Sequence, residues 1–111
     1  MPIVDTTKLD SREPLPGWHD RYFAAHSMSF AYYDVDAGAA IHGHEHPEEE
    51  VWHIIDGTLE ITLGDDTHVV GAGSAAIVPS NTRHAIRAIT NARVIIASHP
   101  VRERVGGHHI R

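Results

Sequence analysis

Cysteine is absent from this chain, which excludes disulfides and thiolate chemistry and points to a reducing, cytoplasmic setting. Long apolar runs are missing as well. A stretch such as Arg93-Val94-Ile95-Ile96-Ala97 falls far short of the roughly 20 residues that span a bilayer, so no membrane partner is expected. The amino-terminal residues lack a basic region followed by an apolar block, so a secretory signal is not expected either. Basic residues are few and scattered: nine Lys and Arg stand against fifteen Asp and Glu, a formal charge of -6. A nucleic-acid backbone would be repelled rather than gripped. The 111 residues suffice for one domain with its own core and leave no room for a second.

What the chain does have, from Tyr32 onward, is a rhythm of short apolar or alternating runs punctuated by glycine, the pattern of strands and turns. Candidate strands are Ser29 to Asp36, Ile41 to His46, Glu50 to Ile55, Thr58 to Leu63, His68 to Val70, Ser74 to Val78, His84 to Ile89 and Ala92 to Ser98. Asp56-Gly57 and Gly64-Asp65-Asp66 read as tight turns between antiparallel neighbours. The fold class is therefore all-β, closed into a small barrel or jelly roll that removes open sheet edges. Residues 1–28, with Pro2, Pro14, Pro16 and Gly17 and little periodicity, read as an irregular amino-terminal arm with at most a short turn near Trp18 to Ala25. Residues 29–98 form the barrel, and residues 99–111 a mobile polar tail.

One stretch carries the chemistry. From Gly38 to Gly57 it reads G-x5-H-x-H-x3-E-x6-G, with His44, His46 and Glu50 at the lettered positions, and from Gly73 to His84 it reads G-x5-P-x4-H. Residues two apart on a strand share a face, so His44 and His46 should project together. Pro47-Glu48-Glu49 can reverse the chain and return Glu50 on a neighbouring strand, and His84 arrives from a strand much later in the sequence. Three imidazoles and one carboxylate suit a single Fe, Mn, Ni, Co or Zn ion with open positions far better than Ca or Mg. An isolated H-x-H in a chain with eleven histidines would say little; agreement across two separated segments says more. In the acidic run of Glu45, Glu48, Glu49 and Glu50, the last fits a strand start, whereas Glu48 and Glu49 fall in the connecting turn.

The two segments resemble the paired motifs of the cupin superfamily, of the small single-domain kind. Gly38, His44, His46, Glu50 and Gly57 match its first motif at every lettered position, and Gly73, Pro79 and His84 match its second. The sequence departs at Asn81, where the family often has glycine, and at Ala88, where it often has asparagine; Asn81 still tolerates a left-handed turn. The resemblance implies a jelly-roll barrel, one divalent metal per chain, and frequently a homodimer.

Alternation from the ligands adds further residues. His42 should share the face of His44 and His46, and is a candidate catalytic group or hydrogen-bond partner of a ligand. One of Tyr32 and Tyr33 must face inward, and Tyr33 is the second catalytic candidate. Trp52, Ile54 and Ile86 should line an apolar substrate pocket, although plain core packing explains each singly. Arg83 and Arg87 alternate to the outside. The chemistry expected is that of a metal-dependent enzyme on a small organic molecule, with dioxygenase or lyase reactions favoured. The alternatives are an isomerase or cyclase on a sugar acid or related carbonyl compound, and a non-catalytic small-molecule binding protein.

Overall fold

Alternation of apolar and polar residues becomes strand pairing throughout the computed structural model, which describes residues 3–103. After a 3-10 turn at Thr6–Lys8 come β1 (Arg12–Leu15), β2 (Trp18–Ala24), β3 (Ser29–Val35), β4 (Ala40–His44), β5 (Glu49–Asp56), β6 (Thr58–Leu63), β7 (Asp66–Gly71), β8 (Ala75–Val78), β9 (His84–Ala88) and β10 (Ala92–His99). They form two antiparallel sheets, one in the order β1-β2-β3-β10-β5-β8 and the other β4-β9-β6-β7. No α-helix occurs among the described residues, and no helix there is long and apolar enough to cross a membrane.

The two sheets face each other, and their middle strands bury one side each. Trp52 and Ile54 of β5, Val94 and Ile96 of β10, Leu59 and Ile61 of β6 and Ile86 of β9 interdigitate in the middle. Period-two burial along β5 and β10 shows the alternation directly. The sandwich is thus the jelly-roll architecture the strand pattern foretold.

Residues 12–24 depart from expectation. Instead of an irregular arm they form β1 and β2, and β2 pairs with β3 along its whole length, from Trp18↔Val35 to Ala24↔Ser29. Trp18 is fully buried and meets Tyr33 and Trp52 edge-to-face, with centroids 5.4 and 6.0 Å away, a favoured aromatic geometry. Pro14 misled because proline is excluded from central strands but tolerated at an edge, and β1 is an edge. Pro16-Gly17, with Gly17 at φ +83°, is the two-residue turn that joins the pair.

Gly64-Asp65 does close a hairpin, with Leu63 opposite Asp66. Asp56-Gly57 does not. β5 and β6 belong to different sheets, so this turn carries the chain across the sandwich. Gly57 is required there by its φ of +87° and by the Asn91 carbonyl, which presses where a Cβ would stand. Asn81 adopts φ +58°, the left-handed turn its side chain permits.

The tail also differs over its first residues. His99 completes β10, and residues 100–103 turn back across the barrel end, where the Arg102 N–H donates to Ser29 Oγ at 3.0 Å. The rest of the expected tail, with Gly106, Gly107, His108 and His109, lies outside the described residues, as does Pro2 of the expected arm.

Candidate metal centre

Four chain segments converge between the sheets at one end of the sandwich. His44 ends β4, and His84 opens β9 directly opposite it. His46 lies just past β4 in the loop that crosses to the other sheet, and Glu50 follows near the start of β5. The strand does not continue to His46. Pro47 removes a backbone donor and restricts the residue before it, while Asn81 N–H holds the His46 carbonyl at 2.8 Å. Glu50 accordingly returns not on a strand bonded to β4 but from the facing sheet.

The three imidazoles point at one another. Ring centroids lie 4.2 Å apart for His44 and His84, 4.9 Å for His46 and His84 and 5.5 Å for His44 and His46. One nitrogen from each lies within 4.8 Å of the others. Every Nδ1 is engaged by a backbone carbonyl two residues away: His44 with His42 at 2.9 Å, His46 with Glu48 at 3.0 Å, and His84 with Thr82 at 2.8 Å. A carbonyl only accepts, so each Nδ1 carries a proton, and in the neutral ring Nε2 is then the atom with the lone pair. Among the described residues the buried Nε2 atoms of His46 and His84 have no hydrogen-bond partner. Burial, the largest cause, pushes the His44 and His84 pKa values below the ordinary imidazole range, which favours the neutral, metal-binding form.

Glu50 completes the cluster. Its Oε1 lies 3.5 Å from His46 Nε2 and 3.8 Å from His84 Nε2, and accepts from the Trp52 indole N–H at 3.0 Å. Its Oε2 meets Ser98 Oγ at 3.3 Å and Arg102 Nη1 at 3.2 Å. Burial pulls its pKa upward, but hydrogen bonding from the His46 ring when Nε2 carries a proton, the Arg102 charge and the Trp52 N–H outweigh that and hold it at about 2. The carboxylate is ionised and only 2% exposed. Residues with bare, buried lone pairs beside a buried anion have the chemistry of a cation site.

The other expected site residues divide. Tyr33 is the inward member of its pair, 4% exposed, and lines a cavity of about 30 Å³ with Glu50, Asp20, Tyr22, Ser98 and Arg102. Trp52, Ile54 and Ile86 are core residues beneath the site rather than walls of that cavity. His42 faces outward and is exposed. Ile41 pairs with Ile86 but His44 with His84, so β4 holds one extra residue and a bulge reverses its parity. Ile41, not His42, therefore packs on the core. Arg87 sits outside, 3.4 Å from Glu60, as alternation predicted.

Sequence reasoning missed Arg102, Ser98, Asp20 and Glu48. Glu48 Oε1 lies 3.4 Å from His46 Nδ1 and 3.9 Å from Arg102 Nε, so it borders the site despite its turn position. Ser98 was within reach of the period-two rule, since it follows the inward Val94 and Ile96. Asp20 likewise falls two residues after Trp18. Nothing local marked Arg102.

Comparison with known proteins agrees with this fold. Residues 31–99 match the family model described as Cupin domain. A Streptomyces coelicolor protein of uncharacterised function is 29% identical over 85 residues, 76% of this chain and 81% of its own. Among solved structures, KdgF from Halomonas sp. superposes with a TM-score of 0.86 at 21% identity, covering 93% of this chain and 96% of that one. An RmlC-like cupin from Shewanella frigidimarina gives 0.85 at 20% identity, covering 90% and 91%. Oxalate decarboxylase of Bacillus subtilis, studied for its Mn(II) centres, gives 0.79 at 20% identity over 87% of this chain but 29% of its own.

Proposed function

Because the chain belongs to the cupin family, we propose that it is a metal-dependent enzyme for a small organic molecule, with one divalent transition metal on His44, His46, His84 and Glu50. One observation carries the reading: backbone carbonyls hold all three Nδ1 atoms and leave the three rings clustered, with the Nε2 atoms of His46 and His84 beside the buried Glu50 carboxylate. Such nitrogen and oxygen donors suit Fe, Mn, Ni, Co or Zn. Once bound, the ion supplies Lewis acidity or, where redox-active, one-electron chemistry.

The chain's own groups supply the rest. Glu50 stays ionised and offers Oε1 to the cluster. Trp52, Ile54 and Ile86 seal the floor against water and so raise the strength of every electrostatic contact above them. His44 is only half-buried, which opens the cluster to a small molecule from the β4 side. Tyr33 stands in the cavity wall as a proton donor. Dioxygenase or lyase chemistry is the reaction type we adopt.

Purification without added metal, elemental analysis and reconstitution with Mn(II) and Fe(II) test the proposal. The Mn(II) centres of oxalate decarboxylase make manganese the first choice. Retention of about one ion per chain is expected, and failure to retain either metal would end the reading. A panel of small carboxylic and aromatic compounds, incubated with and without oxygen, then separates dioxygenase from lyase. A second reading draws support from the cavity beside Glu50, whose volume of about 30 Å³ suits a water rather than a substrate. In that version the ion is structural and nothing turns over.

We also propose that the partner is a second copy. On the outer face of the larger sheet, Phe23, Phe30, Ala97, Val51 and Ile77 stand directly opposite one another across five strands. Val51 is 37% and Ile77 59% exposed, a contiguous apolar row of the kind that marks association. Sedimentation of wild type as a dimer and of Val51→Asp as a monomer would support this; a monomeric wild type would overturn it.

A further inference from the structure

Resting on the metal-site reading above, we propose that residues 100–103 are a strap that sets the metal affinity of the centre, by holding the Arg102 guanidinium on the far oxygen of Glu50. The strap is fastened by its backbone to β2 and β3. Tyr22 Oη donates to the Arg102 carbonyl at 2.8 Å, and the Arg102 N–H donates to Ser29 Oγ at 3.0 Å. These two anchors, on β2 and β3, fix the Arg102 backbone. Its side chain then reaches Glu50 Oε2 at 3.2 Å, with Glu48 Oε1 3.9 Å from Nε.

The consequence is a carboxylate with two unlike faces. Ser98 and Arg102 occupy Oε2, whereas Oε1 accepts from Trp52 and faces His46 and His84. A carboxylate held at its outer oxygen cannot rotate freely, so Oε1 is presented to the cluster in one orientation. Outer partners of metal ligands act in this way, and their loss typically weakens metal binding by about 10–100-fold.

An opposing effect makes the idea testable. The Arg102 charge sits close to the place of a divalent cation and repels it. If repulsion dominates, removing Arg102 tightens metal binding; if orientation dominates, removing it weakens binding. The strap's double fastening to β2 and β3 favours orientation, because a charge alone would need no such anchoring. It also makes Tyr22, whose hydroxyl holds the Arg102 carbonyl, a determinant of metal retention.

Cobalt(II) is the probe, since its visible spectrum reports the ligand set and its affinity can be measured by competition with a chromophoric chelator. The full chain is expected to bind one Co(II). Arg102→Met should raise the dissociation constant about 10–100-fold and alter the spectrum, Arg102→Lys should recover part of the loss, and Tyr22→Phe should give a smaller loss in the same direction. Unchanged or tighter binding by Arg102→Met, with wild type binding normally, overturns the strap alone. A wild type that binds no Co(II) overturns the metal-site reading and the strap with it. Should Arg102→Met fail to fold, Tyr22→Phe and Ser98→Ala decide the matter, and wild-type affinity in both would overturn the proposal.

Discussion

His44 and His84 face each other across the β4 and β9 pairing, ring centroids 4.2 Å apart, although thirty-nine residues of chain, 45 to 83, separate them. Two neutral rings on one sheet, each tied by its Nδ1 to a carbonyl, set the direction from which every other group of the site approaches.

His84→Ala removes the most deeply buried of those rings. The variant is expected to fold and to lose bound metal by more than the about 10–100-fold typical of outer partners. Elemental analysis beside circular dichroism checks it, and full metal content in a folded variant would contradict the assignment of His84.

For His42 the bulge in β4 reverses the expectation drawn from alternation. Its ring is outside, and only its carbonyl serves the site, by accepting from His44 Nδ1. His42→Ala should therefore retain the metal content and the turnover of the wild type. A clear drop in either would place the ring back in the mechanism.

Trp52→Phe keeps most of the buried aromatic surface but deletes the N–H that donates to Glu50 Oε1 at 3.0 Å. Hydrogen bonds to charged groups contribute about 1.5–3 kcal/mol, so the metal-free variant should lose stability of about that size. Urea denaturation with an unchanged m-value measures it, and a midpoint equal to that of the wild type would show the bond to be of no consequence.

At the opposite side of the molecule, the hydrogen bond to Asp36 raises the His19 pKa above the ordinary imidazole value. A raised folded value means that protonation favours the fold. The contribution is complete below the unfolded pKa of about 6.5 and fades as pH rises through the folded value. Asp36→Asn should return the His19 titration, followed by NMR, toward 6.5. No downward movement would separate His19 from Asp36.

Much of this was legible without coordinates because strands announce themselves by alternation and turns by glycine. The intervals from Ser29 to Ser98 became β3 to β10 with shifts of one or two residues at their ends. The expectations failed where a local signal has two tertiary meanings. Asp56-Gly57 carries the same glycine whether it closes a hairpin or crosses between sheets. Pro14 and a polar His19-Asp20-Arg21 hid β1 and β2, because an edge position and a buried Asp20, 1% exposed, cannot be read from composition. His42 was misplaced by one extra residue in β4, which parity counting assumes away.

The residues themselves dictate the all-β class and the ligand types, since imidazole and carboxylate chemistry and the period of a strand are properties of local sequence. Which oxygen of Glu50 faces the rings, and which faces Arg102, was decided only when two sheets closed on each other. Long-range packing alone brings together side chains whose mutual positions no interval along the chain encodes.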